Sequence, residues 1–116
     1  MTRVIVVDDD KDTVKIFSDF LKIKGIDVVG KGYNGLEALN LYKELHPDIA
    51  ILDMRMPEYD GKFAIDMIKK EDPIAKIIVV TGYTEYKVED LKVNAVFYKP
   101  YDIDSIVDKI NEINPY

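Results

Sequence analysis

Short, nearly continuous apolar runs alternate along the chain with longer segments whose apolar residues recur every three or four positions. The runs are Val4–Val7, Asp27–Gly30, Ile49–Leu52, Ile77–Val80 and Ala95–Tyr98. They are rich in Val and Ile and mostly lack polar alternation, as strands covered on both faces of a parallel sheet do. Between them the spacing is helical: Val14, Phe17 and Leu21; Ala38, Leu41 and Leu45; Ala64, Met67 and Ile68; and Ile103, Ile106, Val107 and Ile110. Thr84–Val93 carries a weaker pattern, with Val88 and Leu91 as its apolar pair.

Punctuation agrees with this reading. Gly25 is suited to stop the first helix in the left-handed conformation. Pro47 and Pro73 end the second and third. Asp60 precedes Gly61 where the third should start, and Asp102 can cap the last. The segment Gly30–Gly35 (GKGYNG) lacks the spacing of a phosphate loop and is a connection into the second helix. The pattern is β-α repeated five times. It predicts one α/β domain over residues 1–116, a doubly wound parallel sheet with helices on both faces and right-handed crossovers. Ligands in such sheets bind beyond the carboxyl ends of the strands.

Composition narrows the functions. The 116 residues suffice for one domain, and the absence of Cys excludes disulfides and thiolate metal sites. A net charge of -6 argues against a nucleic-acid or anionic-membrane surface. No segment is long enough to span a bilayer, and the apolar stretch after Met1-Thr2-Arg3 is too short for a signal peptide. A cytoplasmic location is expected.

The residues after the predicted strands are chemically unusual. Asp8 and Asp9 follow the first, Asp53 the third, Thr81 the fourth and Lys99 the fifth. Two carboxylates about 4 Å apart repel by roughly 4 kcal/mol at an effective dielectric near 20. A hard divalent ion, most naturally Mg2+, would offset that with oxygen ligands alone. Thr81 can donate to an anionic oxygen and Lys99 can neutralise another. Metal, hydroxyl and ammonium around a carboxylate suit phosphoryl transfer, with Asp53 as nucleophile. Asp10 and Asp12 are helix-start residues. His46, at a helix end, is structural, and Met54 and Met56 are packing residues.

The motifs VDDD, DMRMPEYDG, TGY and KPY, in order at four strand ends, resemble the receiver domain of two-component response regulators, and the resemblance covers the whole chain. It implies a flavodoxin-like (βα)5 fold with strand order 2-1-3-4-5. It implies Asp53 as phosphoacceptor, Asp8, Asp9, Asp53 and the Arg55 backbone carbonyl as Mg2+ ligands, Thr81 as switch hydroxyl, and Lys99 as the bridging cation, followed by a cis Lys99–Pro100 bond. The phosphoryl group would come from a histidine kinase or phosphotransfer protein, and the output would be altered partner binding, with no output domain. Arg55 and Tyr83 occupy positions that flank the phosphoryl group in the family. Two features depart from its pattern. Val96 stands where an aromatic switch residue is usual, with the aromatics at Phe97 and Tyr98, and the Thr81–Lys99 stretch is about one helical turn short, which predicts a short fourth helix. Two alternatives remain open at this level. One is a haloacid-dehalogenase-like phosphohydrolase using Asp8 and Asp10, in which Thr13 comes one position late. The other is a receiver-like module that binds partners without being phosphorylated.

Overall fold

The computed structural model describes residues 1–115. Its elements are β1 (Arg3–Val7), α1 (Lys11–Ile23), β2 (Asp27–Gly32), α2 (Gly35–Leu45), β3 (Ile49–Leu52), α3 (Gly61–Glu71), β4 (Ile77–Thr81), α4 (Val88–Leu91), β5 (Ala95–Tyr98) and α5 (Ile103–Ile113). The five strands form one parallel sheet in the order β2-β1-β3-β4-β5, the doubly wound arrangement expected.

Each strand feeds two cores, which explains why the runs lack polar alternation. Ile5, Val7, Ala50, Leu52, Ile77 and Val79 face α2, α3 and α4, packing with Ala38, Tyr42, Ile65, Ile68 and Leu91. Their neighbours Val4, Val6, Ile49, Ile51, Ile78 and Val80 face α1 and α5, packing with Val14, Phe17, Leu21, Ile106 and Ile110. A period of two along a strand sends successive side chains to opposite faces, so both sets must be apolar.

The edge strand β2 runs two residues beyond the expected Gly30 and is only half-buried. Its pairing with β1 slips between Val4 and Ile5, a bulge at the sheet margin. Helix starts are capped by side chains: Asp10, Asn34, Asp60 and Asp102 accept from backbone N–H groups in the first turns of α1, α2, α3 and α5. Asn34 Oδ1 accepts from Glu37 N at 2.9 Å, and Glu37 Oε1 reaches one residue further back to accept from Tyr33 N at 3.1 Å, a variant of the capping box. Gly25 (φ 85°) follows α1 in the left-handed region as expected, and His46 (φ 47°) closes α2 in the same way before Pro47. Helix α4 is a single turn. Leu91 is buried there but Val88 is exposed, so the expected apolar pair does not pack as a pair. Among the described residues, no helix is long and apolar enough to cross a membrane.

Candidate functional site

The strand order reverses between β1 and β3, and the chain opens a crevice at their carboxyl ends. Backbone bonds carry the sheet's order directly into the site: Asp8 N donates to Gly32 O (3.2 Å), Asp53 N to Val7 O (2.9 Å) and Lys99 N to Thr81 O (2.8 Å). Asp8 and Asp53 are buried and Asp9 is exposed. A carboxylate oxygen from each of the three lies within 4.8 Å of the others. From across the sheet the Lys99 Nζ reaches in, 2.7 Å from Asp8 Oδ2 and 3.3 Å from Asp53 Oδ2. Asp8 Oδ1 accepts from Asp10 N at 3.0 Å, and Asp53 Oδ1 from Met54 N at 2.7 Å.

Gly61 explains the Asp-Gly pair that opens α3. Its N–H donates to Met54 O at 2.8 Å. A Cβ there would lie 2.4 Å from the Asp53 carbonyl oxygen and 2.7 Å from Met54 Cα, so only glycine lets α3 start this close to Asp53.

The electrostatics are those of a site short of positive charge. Burial, then the neighbouring Asp8, holds the Asp53 carboxyl above its ordinary value, and Lys99 and the Met54 N–H pull it back only in part. Asp9, although its side chain is exposed, is raised by partial desolvation of its carboxyl and by Asp8. Burial opposes the charged form of Lys99, but its hydrogen bond to Asp8 and the charges of Asp53 and Asp8 outweigh this and raise it. Three carboxylates share one ammonium. An all-oxygen donor set with surplus negative charge fits a hard divalent cation.

Thr81 is fully buried, and its Oγ1 accepts from Tyr83 N at 3.3 Å, which leaves its O–H as a donor. The Lys99–Pro100 bond is cis. Val96 packs on the α2–α4 side of the sheet and Phe97 on the α1–α5 side. Tyr98 pairs directly with Thr81, and its hydroxyl donates to the Tyr86 carbonyl at 2.7 Å. The aromatic next to Thr81 is thus displaced two residues along the same face from Val96. The Arg55 side chain leans away from the acids: its guanidinium lies 3.7 Å from the centre of the Tyr83 ring and pairs with Glu85. Glu85 had no signal in the sequence, being one of many acids in a polar stretch.

Asp10, which a dehalogenase-like reading requires as a second acid, is occupied at the start of α1, accepting from Asp12 N (3.2 Å) and the Thr13 hydroxyl (2.8 Å). Met54 and Met56 are buried packing residues, as expected.

Comparison with known proteins agrees with this geometry. The family profile "Response regulator receiver domain" matches residues 4–111. The chain is 38% identical over 116 residues to the chemotaxis protein CheY of Thermotoga maritima, covering 97% of each. Among solved structures it is similar to the response regulator TrrA of Thermotoga maritima in complex with Mg2+ and beryllofluoride (TM-score 0.89, 28% identity, 97% of this chain and 99% of that one). It is also similar to a CheX–CheY–BeF3–Mg2+ complex from Borrelia burgdorferi (TM-score 0.88, 26% identity, 97% and 88% covered). The profile match over nearly the whole chain, with the strand order and the acid cluster it accompanies, makes this chain a member of the response regulator receiver domain family.

Proposed function

We propose that this receiver is a phosphorylation switch in which Asp53 takes a phosphoryl group from a histidine kinase or phosphotransfer protein, with Mg2+ held by Asp8, Asp9, Asp53 and the Arg55 carbonyl. The observation that carries the reading is the joint placement of Asp53 against Lys99, at 3.3 Å, and against Asp8 and Asp9. An Asp53 carboxylate oxygen attacks phosphorus while the bond from phosphorus to the donor nitrogen breaks, and the donor imidazole keeps the electron pair. The Met54 N–H fixes the carboxylate's orientation through Oδ1. Lys99 neutralises charge that grows on the transferred oxygens, and Thr81 donates to one of them. Mg2+ supplies the remaining positive charge when bound.

The added group brings a charge of about -1.5 to -2, and the protein acts by binding a partner better in one state than the other. A cytoplasmic location follows from its donors. The exposed Ile16 and Phe20 of α1 line, with Pro100 and Tyr101, a groove that runs to Lys99. That groove is where a donor protein would rest its apolar face while presenting phosphohistidine.

Intact mass after incubation with Mg2+ and a small acyl phosphate tests the reading, with Asp53→Asn in parallel. One phosphoryl group on the wild type and none on the variant is expected. No adduct on a wild type that binds Mg2+ and is equally inert to a phosphohistidine donor would favour the phosphorylation-independent binding module.

A further inference from the structure

We propose that Glu85 is a positioning residue that competes with the phosphoryl group for Arg55. This rests on Asp53 being the acceptor. Arg55 belongs to the connection between β3 and α3, whereas Tyr83 and Glu85 belong to the connection between β4 and α4. The guanidinium is parked on the second loop, 3.7 Å from the Tyr83 ring centre and paired with the Glu85 carboxylate.

The ionic part of that parking, the pair with Glu85, is weak. The two ion-pair side chains are 50% and 55% exposed, and pairs in that setting contribute little because water competes for both partners. The alternative is strong. Arg55 is two residues from Asp53, which a chain spans in about 7 Å at most. A phosphoryl group on Asp53 adds three oxygens to a site where one lysine already serves three acids. The planar guanidinium fork matches two such oxygens at once, as the Lys99 ammonium cannot. An open groove along Arg55, Met56, Pro57, Asp60 and Tyr86 leaves the side chain room to swing.

Phosphorylation therefore exchanges Glu85 for phosphoryl oxygens on Arg55. The exchange unties Tyr83 and Glu85 from the acceptor loop. Segment 82–87 has no helix or strand of its own. It stays attached through the Tyr83 N–H to Thr81 and through the Tyr86 carbonyl to Tyr98. A side-chain exchange thus carries the signal from Asp53 into the loop before α4, on the sheet face where Val96 offers no ring to move.

The test is binding of beryllofluoride with Mg2+, a phosphoryl stand-in, measured by calorimetry on five proteins: wild type, Glu85→Gln, Glu85→Asp, Arg55→Gln and the Glu85→Gln/Arg55→Gln double variant. Glu85→Gln is expected to tighten binding about two- to fivefold, the range of an exposed ion pair. In the Arg55→Gln background the same change is expected to do nothing, and Glu85→Asp restores the wild-type affinity. Amides of residues 83–86 should exchange faster with solvent in the wild type once beryllofluoride is bound. An unchanged affinity in Glu85→Gln, or an equal gain without Arg55, overturns the proposal. No beryllofluoride binding by the wild type overturns the acceptor reading beneath it.

Discussion

Asp53→Asn should stabilise the metal-free protein. At an effective dielectric near 20, the Lys99 ammonium 3.3 Å from Asp53 attracts it by about 5 kcal/mol, and a carboxylate within 4.8 Å repels it by at least about 3.5 kcal/mol. Asp8, buried beside it, exerts that repulsion nearly in full, while exposed Asp9 adds a screened share. The charge contributions almost cancel. What decides the sign is the burial of an ionised carboxylate, which is why the Asp53 carboxyl lies above its ordinary value. Asparagine removes that cost, keeps an oxygen for the Met54 N–H, and leaves Lys99 to Asp8. A gain of about 1–2 kcal/mol is expected, or about 1 M in the urea midpoint. The assay is urea unfolding at pH 7.5 in EDTA, then with Mg2+ added. A ligand at a hundred times its Kd stabilises the state it binds by about 2.7 kcal/mol, so saturating Mg2+ should reverse the order of the two proteins. The sign with pH follows. The folded state holds the Asp53 proton at pH values where the unfolded chain has released it, so this group's contribution is full below 3.8 and is lost as pH rises through the raised value. That decline should be smaller in Asp53→Asn. A variant midpoint at or below that of the wild type in EDTA, with an unchanged slope, would refute the reasoning.

Other expectations follow from the same geometry. Because Asp53 and Asp9 both titrate above 3.8, Mg2+ affinity should begin to fall on acidification at a higher pH than an ordinary aspartate would allow, which calorimetry across pH checks. Gly61→Ala should cost about 2–3 kcal/mol and slow adduct formation, since its Cβ meets backbone atoms at 2.4 and 2.7 Å; Gly82→Ala, with nothing within 4 Å, should be near neutral. Phe20→Asp should slow transfer from a phosphohistidine protein about tenfold, the loss of one good apolar contact, and leave labelling by a small acyl phosphate unchanged. A rapid-quench comparison of the two donors reads this directly.

Much of the receiver was legible because its rules are local. A strand covered on both faces needs apolar residues at every position, so Val4–Val7, Ile49–Leu52 and Ile77–Val80 announce themselves. The stop at Gly25 and the caps Asp60 and Asp102 act within a few residues of themselves. Reading fails where local rules weaken. The last two residues of β2 escaped because an edge strand needs only partial burial, and Gly32 has no side chain to reveal it. Spacing alone pairs Val88 with Leu91, but the single turn of α4 buries Leu91 and leaves Val88 exposed.

The alternation of elements, the two-sided core and the chemistry waiting at each strand end are written in the residues, because these depend on periodicity and residue type. Which side chains meet is settled by the folded sheet. Lys99 finds Asp8 across 91 positions and Asp53 across 46, and Arg55 finds Glu85 across 30. Tyr42 reaches Asp72, Phe17 meets Tyr101, and Tyr98 holds the Tyr86 carbonyl. Such pairings depend on strand order and on which face each side chain takes, and those are set when all five strands close into one sheet.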